Sequence, residues 1–178
     1  DPSATMRIDD VAQAHLELVR ALDGAREGTL LSVIDRTVTP VGARLLRRRL
    51  LAPLDDVAGI RRRLDEVEAF VVHARARSEL REVLAAVGDL ERLSVRAVLG
   101  EATPRDLGAL RDGLAAAPRA IAIVRALPGE GALASEAETL DAVSDVSEAL
   151  ARALAERPPT IAKDGGIVRE GHDRALDD

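Results

Sequence analysis

The sequence predicts an all-α fold, a multi-helix bundle built from long amphipathic helices. Three observations point there. Apolar residues recur at spacings of three and four along much of the chain, and stretches alternating with period two are short and few. Thr-Pro pairs and Asp residues stand where helices should start, and Gly or Pro where they should stop. The apolar 47% of the 178 residues is almost wholly aliphatic, with Phe70 as the one aromatic residue, so the core must come from Leu, Val, Ile and Ala side chains interdigitating between helices.

The elements follow in order. Thr39-Pro40 offers a capping hydroxyl and then a Pro at the first helical position, where a missing N–H costs nothing, and the Arg-rich helix that follows stops at Pro53. Asp55 or Asp56 can open the next helix, whose stripe is Val57, Ile60, Leu64, Val67 and Val71. Leu80, Val83, Leu84 and Val87 repeat the pattern until Gly88, and Asp89 can cap a helix carrying Leu90, Leu93 and Ala97. Thr103-Pro104-Arg105-Asp106 reads as an acidic capping-box variant ahead of Leu107, Leu110, Leu114, Ile121 and Val124, with a kink expected at Pro118. Residues 128–131 read as a loop, Leu140, Val143, Val146, Leu150 and Leu154 as a further helical stripe, and Pro158-Pro159 as its end.

Composition removes several classes of function. Without Cys there is no disulfide scaffold, Cys-zinc site or thiol nucleophile. With one aromatic there is no platform for stacking single-stranded bases. No apolar run is long enough for a transmembrane helix, so no membrane partner is expected, and a cytoplasmic location is. The net charge of −6 hides a polarity. Eight Arg against three Asp give residues 35–63 a charge of +5, while twelve acids against five bases give residues 130–178 a charge of −7. Solvated helix faces account for such a split, and so does a surface that steers a partner.

Candidate chemistry is sparse. Gly166–Gly171 has the end spacing of a phosphate loop, yet His172 and Asp173 stand where Lys and Ser or Thr are needed, so a turn is the better account. His15, His73 and His172 form no paired metal spacing, and no Ser sits in a nucleophile elbow. Catalytic, metal and cofactor residues are therefore expected to be none. Asp65 and Glu66 are read as partners of Arg61 and Arg62 one turn earlier. The Arg47–Arg49 and Arg61–Arg63 triplets span too much of a helix circumference to form one flat patch each, so one Arg of each is expected to reach inward. Arg44, Arg47, Arg48, Arg61 and Arg62 remain the candidates for contact with nucleic acid or another domain.

The run from Gly28-Thr29-Leu30-Leu31 through Asp35-Arg36-Thr37-Val38-Thr39-Pro40-Val41-Gly42-Ala43-Arg44-Leu45-Leu46 to Pro53-Leu54 resembles the core-domain signature of the MutS family of DNA mismatch repair ATPases. Arg63–Glu68, Gly88–Leu93, Thr103–Leu107, Asp164–Gly171 and Leu176-Asp177 match further family segments in family order, covering nearly the whole chain. Four positions depart from the usual pattern: His15 for Asn, Val41 for Met, Arg49 for Trp and His172 for an aromatic.

The resemblance implies a fold of the lever, or core, type. Residues 7–178 would be the helical core segment, truncated before the clamp insertion, and residues 1–6 a tag remnant or linker. Such a segment couples ATPase state to the grip on mismatched duplex DNA and is itself no enzyme. Mismatch reader, clamp and ATP-binding loop would lie in absent domains, with ATP and Mg as cofactors of the parent, a homodimer associated with the bacterial nucleoid. Truncation would expose part of an apolar stripe, and the fragment would then self-associate as a two-fold dimer. Two other readings stay open: a stand-alone helical adaptor docking an acidic partner through its Arg-rich face, and a helical enzyme with an Arg-lined pocket for an anionic metabolite.

Overall fold

Several helix starts in this chain are fixed by local side-chain chemistry, as a computed structural model, which describes residues 5–128 and 132–177, shows. Asp9 accepts from the Ala12 amide at 2.8 Å to open α1 (Asp10–His15). Thr29, fully buried, accepts from the Ser32 amide at 3.1 Å to open α2 (Leu30–Ile34). The Thr39 hydroxyl accepts from the Gly42 amide at 3.0 Å, with Pro40 first in α3 (Pro40–Leu51). Of the two candidate aspartates, Asp56 opens α4 (Val57–Val72), accepting from the Gly59 amide at 2.6 Å.

Two compact units result, Asp1–Val72 and His73–Asp178. In the first, the amides of Leu30 and Leu31 donate to the carbonyls of Glu17 and Leu18, folding the Leu16–Gly28 loop back on α2. The Met6 amide donates to the Pro53 carbonyl at 2.8 Å, and Thr5 and Leu54 form an isolated bridge, so the chain before α1 is tied to the end of α3. Buried apolar side chains are few here, chiefly Leu18 and Leu31. The α4 stripe that the periodicity marks as apolar faces solvent.

The second unit is organised by one helix. α5 (Ala74–Val87), α6 (Leu90–Val98), α8 (Ala132–Thr139) and α9 (Ser144–Ala153) all pack on α7 (Pro104–Arg125). Val83, Leu93, Leu110, Leu127, Ala137 and Leu154 are its buried aliphatic residues. Gly88 ends α5 with φ +69°, and Asp89 caps α6 on the Arg92 amide. α7 carries the expected capping box and runs as one helix through Pro118. Gly113 sets how closely it lies to the α5–α6 corner, because a Cβ there would run into the Val87 carbonyl oxygen and meet Leu90 Cδ2 at 2.8 Å.

Beyond α9, Leu154 and Val168 form an isolated bridge, flanked by Ala155 N–H to Ile167 O and Arg169 N–H to Ala153 O, and the tail holds a 3₁₀ turn (Ala162–Asp164) and α10 (Arg174–Asp177). The last predicted stripe is corrected. Val143 is left-handed (φ +51°) with its amide on Asp141, so α9 starts only at Ser144 and Leu140 lies outside any helix. No stripe in the sequence marks α8. The loop read at 128–131 falls, past Pro128, outside the described residues, as do residues 1–4. No strand forms among the described residues, and none of their helices is long and apolar enough to cross a membrane.

Gly113→Ala should lower stability by about 1–3 kcal/mol, the cost of forcing an extra methyl into a close-packed contact. Gly108→Ala should cost less, since its Cβ would press at 3.1 Å on the Pro158 ring rather than on backbone. Thermal melts of the two variants provide the comparison.

The α7 cap also has a pH signature. Asp106 accepts from the Thr103 amide at 3.0 Å and hydroxyl at 2.8 Å, and Arg96 stands 3.2 Å away. The Thr103 bonds first, and then the Arg96 charge, hold its carboxyl below the ordinary value of 3.8. Below 3.8 the unfolded chain takes up a proton that the folded chain still refuses. This contribution is therefore fully present above that pH and is lost as pH falls through the depressed native value. In Asp106→Asn the acid limb of the stability curve should be flatter, as read by urea melts at stepped pH.

Candidate functional site

The five arginines that the sequence singles out all lie in the first unit. On α3, Arg44, Arg47 and Arg48 stand at i, i+3 and i+4, within about 100° of arc. They share one face, and all three are exposed. Neither Arg47, Arg48 nor Arg49 turns inward, because α3 packs through half-covered Leu45, Leu46 and Leu50. On α4, Arg61 and Arg62 are exposed and Arg63 is half-covered. The expected pairs of Arg61 with Asp65 and Arg62 with Glu66 are not formed among the described residues. Arg47 also lines an open cavity of about 740 Å³ together with Arg20, Asp10 and Asp23.

Sequence reasoning misses three arginines with defined work. Arg111 donates from Nη1 to the Ala155 carbonyl at 2.8 Å, from Nη2 to the Glu156 carbonyl at 2.9 Å and from Nε to Asp112 at 2.8 Å. Its side chain is only 11% exposed, and it pins the segment after α9 to α7. Arg125 donates to the Ala137 and Glu138 carbonyls near the end of α8. Arg96 donates to the Glu101 carbonyl and pairs with Asp106. The partner carbonyls lie near a helix end or in a loop. For Arg111 and Arg125 the partners are too distant in sequence for any local pattern to mark them.

Elsewhere Asp35 accepts from the Thr37 amide and hydroxyl, which depresses its carboxyl, while Arg26 lies 3.7 Å away. This closes the turn ahead of α3. No group of three or more His, Asp or Glu able to hold a metal ion occurs among the described residues. The Gly165–Gly171 turn does not fit a nucleotide phosphate. Its Gly171 amide donates to Asp177 Oδ2 at 2.9 Å, so a carboxylate sits where an anion would bind, and the helix that follows has four residues.

The site is thus an arginine face on a helical support, and comparison with known proteins assigns the support. Residues 11–176 match the family model described as MutS domain III. The chain belongs to this family. As a MutS domain III it is 61% identical over 205 residues to the DNA mismatch repair protein MutS of Sorangium cellulosum, covering 100% of this chain and 22% of that protein. Proteins with the same description from Rhodopseudomonas palustris (strain BisB5) and Nitrobacter winogradskyi are 46% and 45% identical over 177 residues, 98% of this chain. The chain spans about a fifth of the length of these curated relatives.

Arg111→Ala should destabilise the second unit by roughly 1.5–3 kcal/mol, the usual worth of hydrogen bonds to a charged group. Arg111→Lys should recover only part of this, since an ammonium cannot reproduce the planar fork. Arg47→Ala, an exposed change, should shift the melting midpoint little. Calorimetry on the three variants separates structural from surface arginines.

Proposed function

We propose that the chain is the core, or lever, segment of a MutS-type DNA mismatch repair ATPase, coupling the state of a distant ATPase to the grip on mismatched duplex DNA. The observation that carries the reading is the domain III match over residues 11–176, within relatives described as DNA mismatch repair proteins. The architecture supports it. A lever must move as a body, and α7 is one 22-residue helix to which four others are packed, capped at its start and pinned along its side by Arg111. Coupling between distant sites needs such elements with discrete arrangements.

In this reading residues 7–178 form the lever segment ahead of the clamp. The parent works as a homodimer in the bacterial cytoplasm, on DNA. Mismatch reading, ATP binding and magnesium belong to the rest of the parent, and the segment itself catalyses nothing. Arg44, Arg47, Arg48, Arg61 and Arg62 face phosphates or a neighbouring domain. The shared face of Arg44, Arg47 and Arg48 equally suits an acidic protein partner, the adaptor reading.

The isolated chain should turn over no ATP above a blank. Its affinity for duplex DNA should be weak, equal for matched and mismatched duplexes, and steeply reduced by salt. Replacing the five arginines by Ala should weaken binding further and flatten the salt slope. Tight mismatch-selective binding by the 178 residues alone would overturn the lever reading, and binding indifferent to the five substitutions would overturn the phosphate assignment. Coupling is read in the full-length parent. There Gly113→Ala should reduce ATP-induced release of mismatched DNA several-fold while ATP binding is unchanged.

A further inference from the structure

The chain that leaves α9 is laid on α7 in two layers. The inner layer, residues 154–158, runs along one side of that helix. Leu154 is buried, and Arg111 grips the Ala155 and Glu156 carbonyls from Nη1 and Nη2. The Pro158 ring packs on Gly108, three residues before Arg111 and so on the same face of α7. The outer layer, residues 167–169, joins the inner one at the Leu154–Val168 bridge. There Ala155 N–H donates to Ile167 O at 2.9 Å and Arg169 N–H to Ala153 O at 2.8 Å. From Thr160 to Asp177 only Ile167 is half-covered and every other residue is exposed, so no apolar core of its own holds this stretch in place.

Ala155 stands between the layers and uses both of its backbone groups. Its carbonyl accepts from Arg111 and its N–H serves Ile167. The guanidinium therefore fixes the residue from which the outer layer hangs. The fork is also built to release. An open groove of about 430 Å³ lies beside it, lined by Arg105, Asp112, Glu156 and Arg157 among others, so water reaches both carbonyls when the guanidinium leaves. Opening then exchanges charged hydrogen bonds for hydration and orphans no buried group. Local openings of this kind lie below global unfolding in free energy.

We propose that Arg111 is a positioning residue whose fork latches residues 154–177 onto α7 as a strap, which opens as a unit separately from the packed helices α5–α9. A further step rests on the lever reading above. On that reading the chain continues past α10 toward the clamp, and the latch is the joint through which a movement of α7 reaches it.

Native-state hydrogen exchange on the 178-residue chain, followed by NMR at stepped low denaturant, tests the latch. The Ala155 and Arg169 amides should exchange through an opening nearly insensitive to denaturant, because little surface is exposed when the strap lifts. The Val83 and Leu93 amides should exchange through a steeply sensitive one. Arg111→Ala should speed the strap amides about tenfold or more, with helix content by circular dichroism unchanged, and Arg111→Lys should recover part of the protection. Strap and core amides sharing one rate and one slope, or strap amides indifferent to Arg111→Ala, would overturn the latch. In the full-length parent, Arg111→Ala should reduce ATP-induced release of mismatched DNA several-fold while ATP binding is unchanged. Uncoupling by Gly113→Ala but not by Arg111→Ala would overturn the latch as the route of transmission. Neutrality of both would overturn the lever reading and the transmission step with it, whereas the latch itself is decided by the exchange data.

Discussion

The second unit depends on one close approach, that of α7 to the α5–α6 corner at Gly113. A core without aromatics gains little from any single side chain, so it must gain from many aliphatic contacts at short interaxial distance. The missing Cβ at Gly113 lets α7 come down on the Val87 carbonyl and brings Leu90 over it. Once α7 is seated there, its remaining faces take α8 and α9, and Arg111 fastens the segment beyond α9 to its side. The helix continues through Pro118, with a capping box at Thr103 and Asp106 at its start and the Arg125 bonds to α8 carbonyls at its end.

The first unit is held by a different balance. Its buried apolar side chains are few, and its order comes from polar closures: Thr29 in full burial beneath the start of α2, Asp35 on Thr37, Thr39 on Gly42 and Asp56 on Gly59. Such closures position a helix without burying its flank. The apolar area that a core would absorb stays outside, most of it along α4. A unit built this way presents surfaces, and that suits a segment that spans about a fifth of its relatives' length.

The all-α class and most helix starts are legible in the sequence because their causes are local. Thr39, Asp56, Asp89 and Thr103 each bond an amide three residues ahead, a distance that a motif can span. What is not legible is long-range. Period alone marks α4 as amphipathic but does not say which side the chain covers. The stripe from Leu140 to Leu154 has helical spacing, yet Asp141 draws the Val143 amide into a turn and the helix begins later. Gly113 looks like any helix-interior glycine until α5 and α6 are placed against it. At the candidate site the exposure of Arg44, Arg47 and Arg48 on one face is within reach of the spacing, whereas the work of Arg111 depends on carbonyls 44 and 45 residues away.

Those arginines divide by chemistry as well as by place. A chain with 24 Arg and the single Lys163 has chosen the side chain whose five donors lie in one plane, and Arg111 shows the use: two successive carbonyls and a carboxylate are met by one guanidinium. Arg96 and Arg125 likewise close backbone carbonyls in the second unit. Most of the arginines of residues 35–63 lie instead on the exposed sides of α3 and α4, while Arg36 donates to the Asp35 carbonyl and Arg63 is half-covered. Charge spent on a chain's own carbonyls is unavailable to a partner, and charge on an exposed helix face costs nothing to leave hydrated until one arrives. Arg96, Arg111 and Arg125 thus fasten backbone segments within the second unit, whereas Arg44, Arg47, Arg48, Arg61 and Arg62 lie exposed on helices of the first.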